Sequence, residues 1–173
     1  MLQNTAAAEL IRPARKQQQL DLIDRKILTI LQDDASTPIA QIASRVGLSQ
    51  TPCWNRIQRL ERDGVIRGRV ALINAASVGL PLTVLVSVQL ADHSQKSQDT
   101  LRQAVERFPE IVEVFRLAGD IDYQLRLAVR NHSEFDLIYH SLAATLAAKS
   151  ITSRFVLETL KDRGPLPIGL DRA

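Results

Sequence analysis

The chain has 173 residues, 45% of them apolar, with 22 Lys and Arg against 19 Asp and Glu and a single cysteine, Cys53. That length holds one domain or two small ones with a core, and one cysteine excludes an intrachain disulfide and a cysteine-built metal cage, as suits a reducing cytoplasm. No run approaches the ~20 apolar residues of a membrane span, and the N-terminus lacks the continuous apolar region of a secretory signal, so a soluble, cytoplasmic protein is expected.

Charge is uneven along the chain. Residues 1–74 carry 11 Lys and Arg against 7 Asp and Glu, whereas residues 75–173 carry 11 against 12. The basic excess lies in the first half, as expected of a half that meets phosphates.

Residues 1–19, with Pro13, the basic cluster Arg12, Arg15 and Lys16 and the glutamine run at 17–19, read as a flexible tail. A first helix starts at Asp21, with Asp24 three residues on and a stripe of Ile23, Ile27, Ile30 and Leu31. Thr37 is the expected cap of a second helix with Pro38 at its first position, and its apolar face is Ile39, Ile42, Ala43 and Val46. Gly47 supplies a turn, Ser49 or Thr51 caps a third helix, Pro52 sits in its first turn, and Asp63-Gly64 stops it. At about 100° per residue, Cys53, Ile57 and Leu60 share one side of the third helix, and Thr51, Asn55, Gln58, Arg59 and Arg62 lie opposite.

A short helix, a glycine turn and a second helix with an arginine-bearing outer face define a helix-turn-helix DNA reader. The DNA-binding set is Ser49, Gln50, Thr51, Trp54, Asn55, Arg56, Arg59 and Arg62. Ser49, Gln50, Thr51 and Asn55, at the start of the helix, are the candidate base readers, with Arg59 as a guanine contact and Arg56 as a phosphate contact. Trp54 is read more as packing than as a base-stacking platform, and Cys53 as a core thiol rather than a redox switch. Residues 65–72 alternate loosely and read as a wing or a strand leaving this unit, and residues 74–81 as a turn or helical stub.

The period then changes. Leu82, Val84, Val86, Val88 and Leu90 alternate with more polar residues, which is a strand. A helix over residues 98–108 buries Leu101, Ala104, Val105 and Phe108, and strands over 111–117 and 122–130 flank Ala118-Gly119-Asp120-Ile121. Ser133 is the expected cap of a helix with the stripe Phe135, Ile138, Tyr139, Leu142 and Leu146, and residues 151–160 give a last strand. The β-α-β-β-α-β order is the ferredoxin-like split unit. The fold class is therefore α+β: an N-terminal winged helix-turn-helix, then a ferredoxin-like domain. The expected boundaries are 1–19 tail, 20–74 DNA-binding domain, 75–81 linker, 82–162 ferredoxin-like domain and 163–173 C-terminal tail.

No catalytic constellation emerges. His93, His132 and His140 are scattered, Pro52-Cys53 has no second cysteine for a zinc site, and no nucleophile elbow, P-loop or dinucleotide-binding glycine motif occurs. Neither an enzyme nor a bound metal or cofactor is expected. Asp120 and Asp122, in a strand-turn-strand setting with no nucleophile, suit an effector-loop or structural role better than an acid/base pair.

The run Leu20-Asp21-Leu22-Ile23-Asp24-Arg25-Lys26-Ile27-Leu28, then Val46-Gly47-Leu48-Ser49-Gln50-Thr51-Pro52-Cys53-Trp54-Asn55-Arg56-Ile57, and later Gly119-Asp120-Ile121-Asp122-Tyr123 resemble the Lrp/AsnC (feast/famine) regulators over residues 20–168. The resemblance implies a ligand-binding second domain with effector contacts at Leu117, Gly119, Asp120, Asp122 and Tyr123, in a pocket shared between subunits. It also implies homodimers assembling to octamers, a near-palindromic double-stranded operator, and a bacterial-type, nucleoid-associated regulator of amino-acid metabolism or transport tuned by an amino acid. Where relatives often carry threonines after the last strand, this chain reads Arg163-Gly164-Pro165-Leu166-Pro167. That departure leaves a second reading, a DNA-coating architectural protein without a metabolite effector.

Overall fold

The computed structural model describes residues 20–168, so the expected tail over residues 1–19 lies outside the described residues. The chain divides into two compact units: one runs through Val70 and also takes in the segment from Arg163, and the other is Ala71–Asp162.

The first unit holds α1 (Leu22–Asp33), α2 (Ile39–Val46) and α3 (Gln50–Arg62). Asp21 caps α1 in a reciprocal capping box: its Oδ1 accepts the Asp24 N–H at 2.7 Å, and its own N–H donates to Asp24 Oδ2 at 3.3 Å. Thr37 does not cap α2. Pro38 holds the cap position, and the Thr37 hydroxyl instead donates back to the Asp34 carbonyl at 2.9 Å, tying down the turn before the helix. Gly47 closes α2 at φ 74°, a left-handed conformation that a side chain would strain. Ser49 holds the cap position of α3 without a side-chain cap bond. Ile27, Leu28, Ile42, Ala43, Val46, Cys53, Ile57 and Leu60 form the shared core, and each large aliphatic residue fully buried there stabilises the unit by roughly 1.5–3 kcal/mol.

Two segments depart from expectation here. Residues 65–72 form no strand, because among the described residues no strand offers them a ladder, and Val70, Leu72 and Ile73 are exposed. Residues 163–168 are not a free tail. Ile168 packs on the helical core, Leu166 N–H donates to Gln32 Oε1 at 2.7 Å, Gln32 Nε2 donates to the Leu166 carbonyl at 3.3 Å, and Arg25 Nη1 donates to the Ile168 carbonyl at 3.1 Å.

The second unit begins with a 3-10 turn at Ala76–Val78 and continues β1 (Leu82–Leu90), α4 (Gln95–Arg107), β2 (Ile111–Arg116), β3 (Tyr123–Val129), α5 (His132–Thr145) and β4 (Ala148–Phe155). The four strands are antiparallel in the order β2-β3-β1-β4, the ferredoxin-like arrangement. Val84, Val86 and Val88 of β1 pair with Leu127, Leu125 and Tyr123 of β3, and this face packs on α4 and α5 through Leu101, Ala104, Ile138 and Leu142. The opposite face is mixed: Glu113 and Arg126 form a bidentate pair at 2.8 and 2.9 Å, and Phe115 is exposed beside Gln124.

Three boundaries differ from the sequence reading. α4 starts at Gln95, not at residue 98, because Ser94 caps it by accepting the Ser97 N–H at 3.2 Å. α5 is capped by Asn131, whose Oδ1 accepts the Glu134 N–H at 2.9 Å, and not by Ser133. β4 spans residues 148–155 rather than 151–160, because its partner β1 begins at Leu82; the last exchange is Val156 N–H to Thr83 O at 3.0 Å, and Leu157 and Leu160 are exposed.

Candidate nucleic-acid interface and loop pocket

The buried stripe of α3 sets which of its side chains reach solvent. Cys53, Ile57 and Leu60 face inward, and burial pushes the Cys53 thiol up from its usual range, as a core thiol requires. Ser49, Gln50, Thr51, Asn55, Gln58 and Arg62 are exposed, together with Trp54 at 44%. Trp54, read as a packing residue, is thus half open to solvent on the outer side of the helix.

Arg56 and Arg59 are held otherwise. Arg56 Nη1 lies 2.6 Å from Asp21 Oδ2 and 2.9 Å from Asp24 Oδ1, and Arg59 Nη2 lies 2.5 Å from Asp24 Oδ2. Asp24 is only 1% exposed, so two guanidiniums from α3 compensate one buried carboxylate at the first turn of α1. The Asp24 N–H and then the Arg56 guanidinium hold the Asp21 carboxyl below its ordinary range, while the bonds to Asp21 and Asp24 raise Arg56. These arginines brace α3 against α1. Arg45 at the end of α2 and Arg67 after α3 are exposed as well.

In the second unit, the connection between β2 and β3 borders a cavity of about 240 Å³. Leu117 N–H donates to the Asp122 carbonyl at 2.8 Å, and Asp122 N–H to the Val88 carbonyl at 3.0 Å, which fixes the ends of the loop. Gly119 has φ 142°, a conformation that side chains rarely adopt. Asp122 is anchored by one oxygen, Oδ2 accepting the Leu90 N–H at 2.7 Å, while Oδ1 faces His93 Nδ1 at 3.6 Å. Of the expected effector residues, Leu117, Gly119, Asp122 and Tyr123 line this cavity, and Asp120 does not. His93, Gln98 and Arg116 line it too. Sequence reading missed them because His93 and Gln98 come from a different part of the chain and meet the loop only through the fold. Among the described residues, no group of three potential metal ligands occurs, and no helix is long and apolar enough to cross a membrane.

A helix-turn-helix with an exposed polar helix face, followed in the same chain by a ferredoxin-like unit with a loop pocket, defines the class of a ligand-responsive DNA-binding regulator. Residues 20–67 match the family described as winged helix-turn-helix DNA-binding, and residues 83–166 match the Lrp/AsnC ligand binding domain. The chain is 43% identical to the glutamate uptake regulatory protein of Zymomonas mobilis, across 87% of this chain and 92% of that protein. An AsnC family transcriptional regulator from Agrobacterium tumefaciens, known from its crystal structure, superposes with a TM-score of 0.79 at 43% identity, covering 86% of this chain and 97% of that one. A transcriptional regulator from Neisseria meningitidis, crystallised as a complex with L-Met, superposes with a TM-score of 0.80 at 29% identity, covering 86% and 97%. The chain belongs to the Lrp/AsnC family of transcriptional regulators.

Proposed function

We propose that this protein regulates genes of amino-acid uptake or metabolism by binding near-palindromic operators, with an amino acid as effector. The observation that carries the reading is the pairing, in one chain, of an exposed polar α3 face with a loop pocket lined by Gly119 and Asp122. Gln50, Thr51 and Asn55 read base edges in the major groove, Ser49 and Arg62 contact the backbone, and Arg56 and Arg59 position the helix. Two-fold pairing of chains places two readers about 34–36 Å apart on one face of the duplex, and homodimers assemble further, to octamers. The regulation of glutamate uptake for which the Zymomonas relative is named and the L-Met complex of the Neisseria regulator support an amino-acid effector here.

The test is a thermal-shift screen of the twenty amino acids on the full chain, followed by footprinting on operator DNA with and without each hit. A ligand that binds the native state raises its melting temperature. A shift accompanied by a changed footprint supports a metabolite-tuned regulator. Unchanged stability and an unchanged footprint across all twenty point instead to an architectural DNA-coating protein.

A further inference from the structure

The loop pocket holds more positive charge than a neutral amino acid needs. Any α-amino acid brings one carboxylate and one ammonium. Asp122 Oδ1, with only the exposed His93 opposite it at 3.6 Å, is the acid that lines the cavity and can take the ammonium. Ala118 and Gly119 line the same cavity, and among the described residues their N–H groups make no hydrogen bond, so they offer donors to the α-carboxylate. With these two groups served, Arg116 is left over. It ends β2 opposite Tyr123, on the side of the sheet that faces the helices, and among the described residues its guanidinium makes no hydrogen bond or ion pair. Gln98, whose Nε2 donates to the His93 carbonyl at 3.0 Å, closes the same side. At about 240 Å³, the cavity is far above the ~10–15 Å³ that one water needs on the same measure, so a small molecule has room there.

We infer that the pocket selects an amino acid with an anionic side chain, and that Arg116 receives the side-chain carboxylate. The inference rests on the reading of this loop as the effector site and names its ligand class. A guanidinium binds a carboxylate through paired, charge-assisted hydrogen bonds. A neutral side chain in the same place forgoes these charge-assisted bonds, and the difference between the two ligands is the selectivity.

The experiment is calorimetric titration of the full chain with L-glutamate, L-aspartate, L-glutamine and L-leucine, repeated on Arg116→Gln and Arg116→Lys. In the native protein, L-glutamate or L-aspartate binds at least about ten-fold tighter than L-glutamine or L-leucine, since a hydrogen bond to a charged group is worth about that factor or more. Arg116→Gln removes the preference by weakening the acidic ligands alone, with the melting temperature of the free protein unchanged because the side chain is exposed; Arg116→Lys retains part of it. Tighter or equal binding of L-glutamine or L-leucine by the native protein overturns the ligand class while leaving the effector site intact. Retention of the acidic preference by Arg116→Gln overturns the role of Arg116. Absence of binding by all four, together with no thermal shift from any amino acid, overturns both this inference and the effector reading beneath it.

Discussion

Asp24 is enclosed at the first turn of α1 and meets Arg56 and Arg59 from α3. A carboxylate without water depends on such partners. Asp24→Asn keeps the shape but removes the charge, and chemical denaturation should show a loss of about 1.5–3 kcal/mol, the worth of hydrogen bonds to a charged group. Asp21, next to it, gives a pH signature. Its folded pKa is depressed by the Asp24 N–H and by Arg56, so its contribution is fully present above the ordinary carboxylate range and is lost as pH falls through the depressed folded value. The gap in denaturation midpoint between the native protein and Asp21→Asn should be constant near neutrality and shrink toward zero in acid. A gap that stays the same throughout would mean that the Asp21–Arg56 pair contributes nothing to stability.

At the scale of elements, the caps decide where helices begin. Asn131 accepts the Glu134 N–H, and Glu134 in turn accepts the Arg130 N–H at 2.6 Å. Asn131→Ala should cost about 0.5–2 kcal/mol, as loss of a cap does, whereas Ser133→Ala, inside the exposed first turn, should stay within about 0.5 kcal/mol. Urea denaturation of the two variants distinguishes the cap from the residue that sequence pattern favoured. The same case shows what sequence made legible and why the rest stayed hidden. The stripes of α1 to α3, the Asp21 box and the Gly47 turn are local signals, and the structure has them where the periodicity puts them. The polar first turns of α4 and α5 carry no stripe, so Ser94 and Asn131 were passed over as caps. The end of β4 depends on where β1 starts, and the company of Arg116 depends on His93 and Gln98, which only the fold brings near. The Arg59–Asp24 contact is hidden for a similar reason: nothing in the arginine's own helix announces a carboxylate from another helix.

For the whole molecule, the C-terminal segment changes how the DNA-binding unit is built. Arg163 follows directly on Asp162 of the ferredoxin-like unit, yet Leu166 and Ile168 are fastened to Gln32, Arg25 and the helical core of the first unit. The chain therefore passes between the two units twice, after Val70 and again after Asp162. A chain ending at Asp162 loses three hydrogen bonds to α1. At about 0.5–1.5 kcal/mol each, their loss should lower the stability of the first unit by about 1.5–4.5 kcal/mol and leave the ferredoxin-like unit unaffected. Amide exchange provides the readout, with faster exchange in α1 and unchanged protection in β1 and β3. Gln32→Ala, which removes the two bonds to Leu166 without shortening the chain, should give a smaller change in the same direction. Equal protection of α1 in the shortened and complete chains would show that the segment is a passenger on the helical unit rather than part of its support.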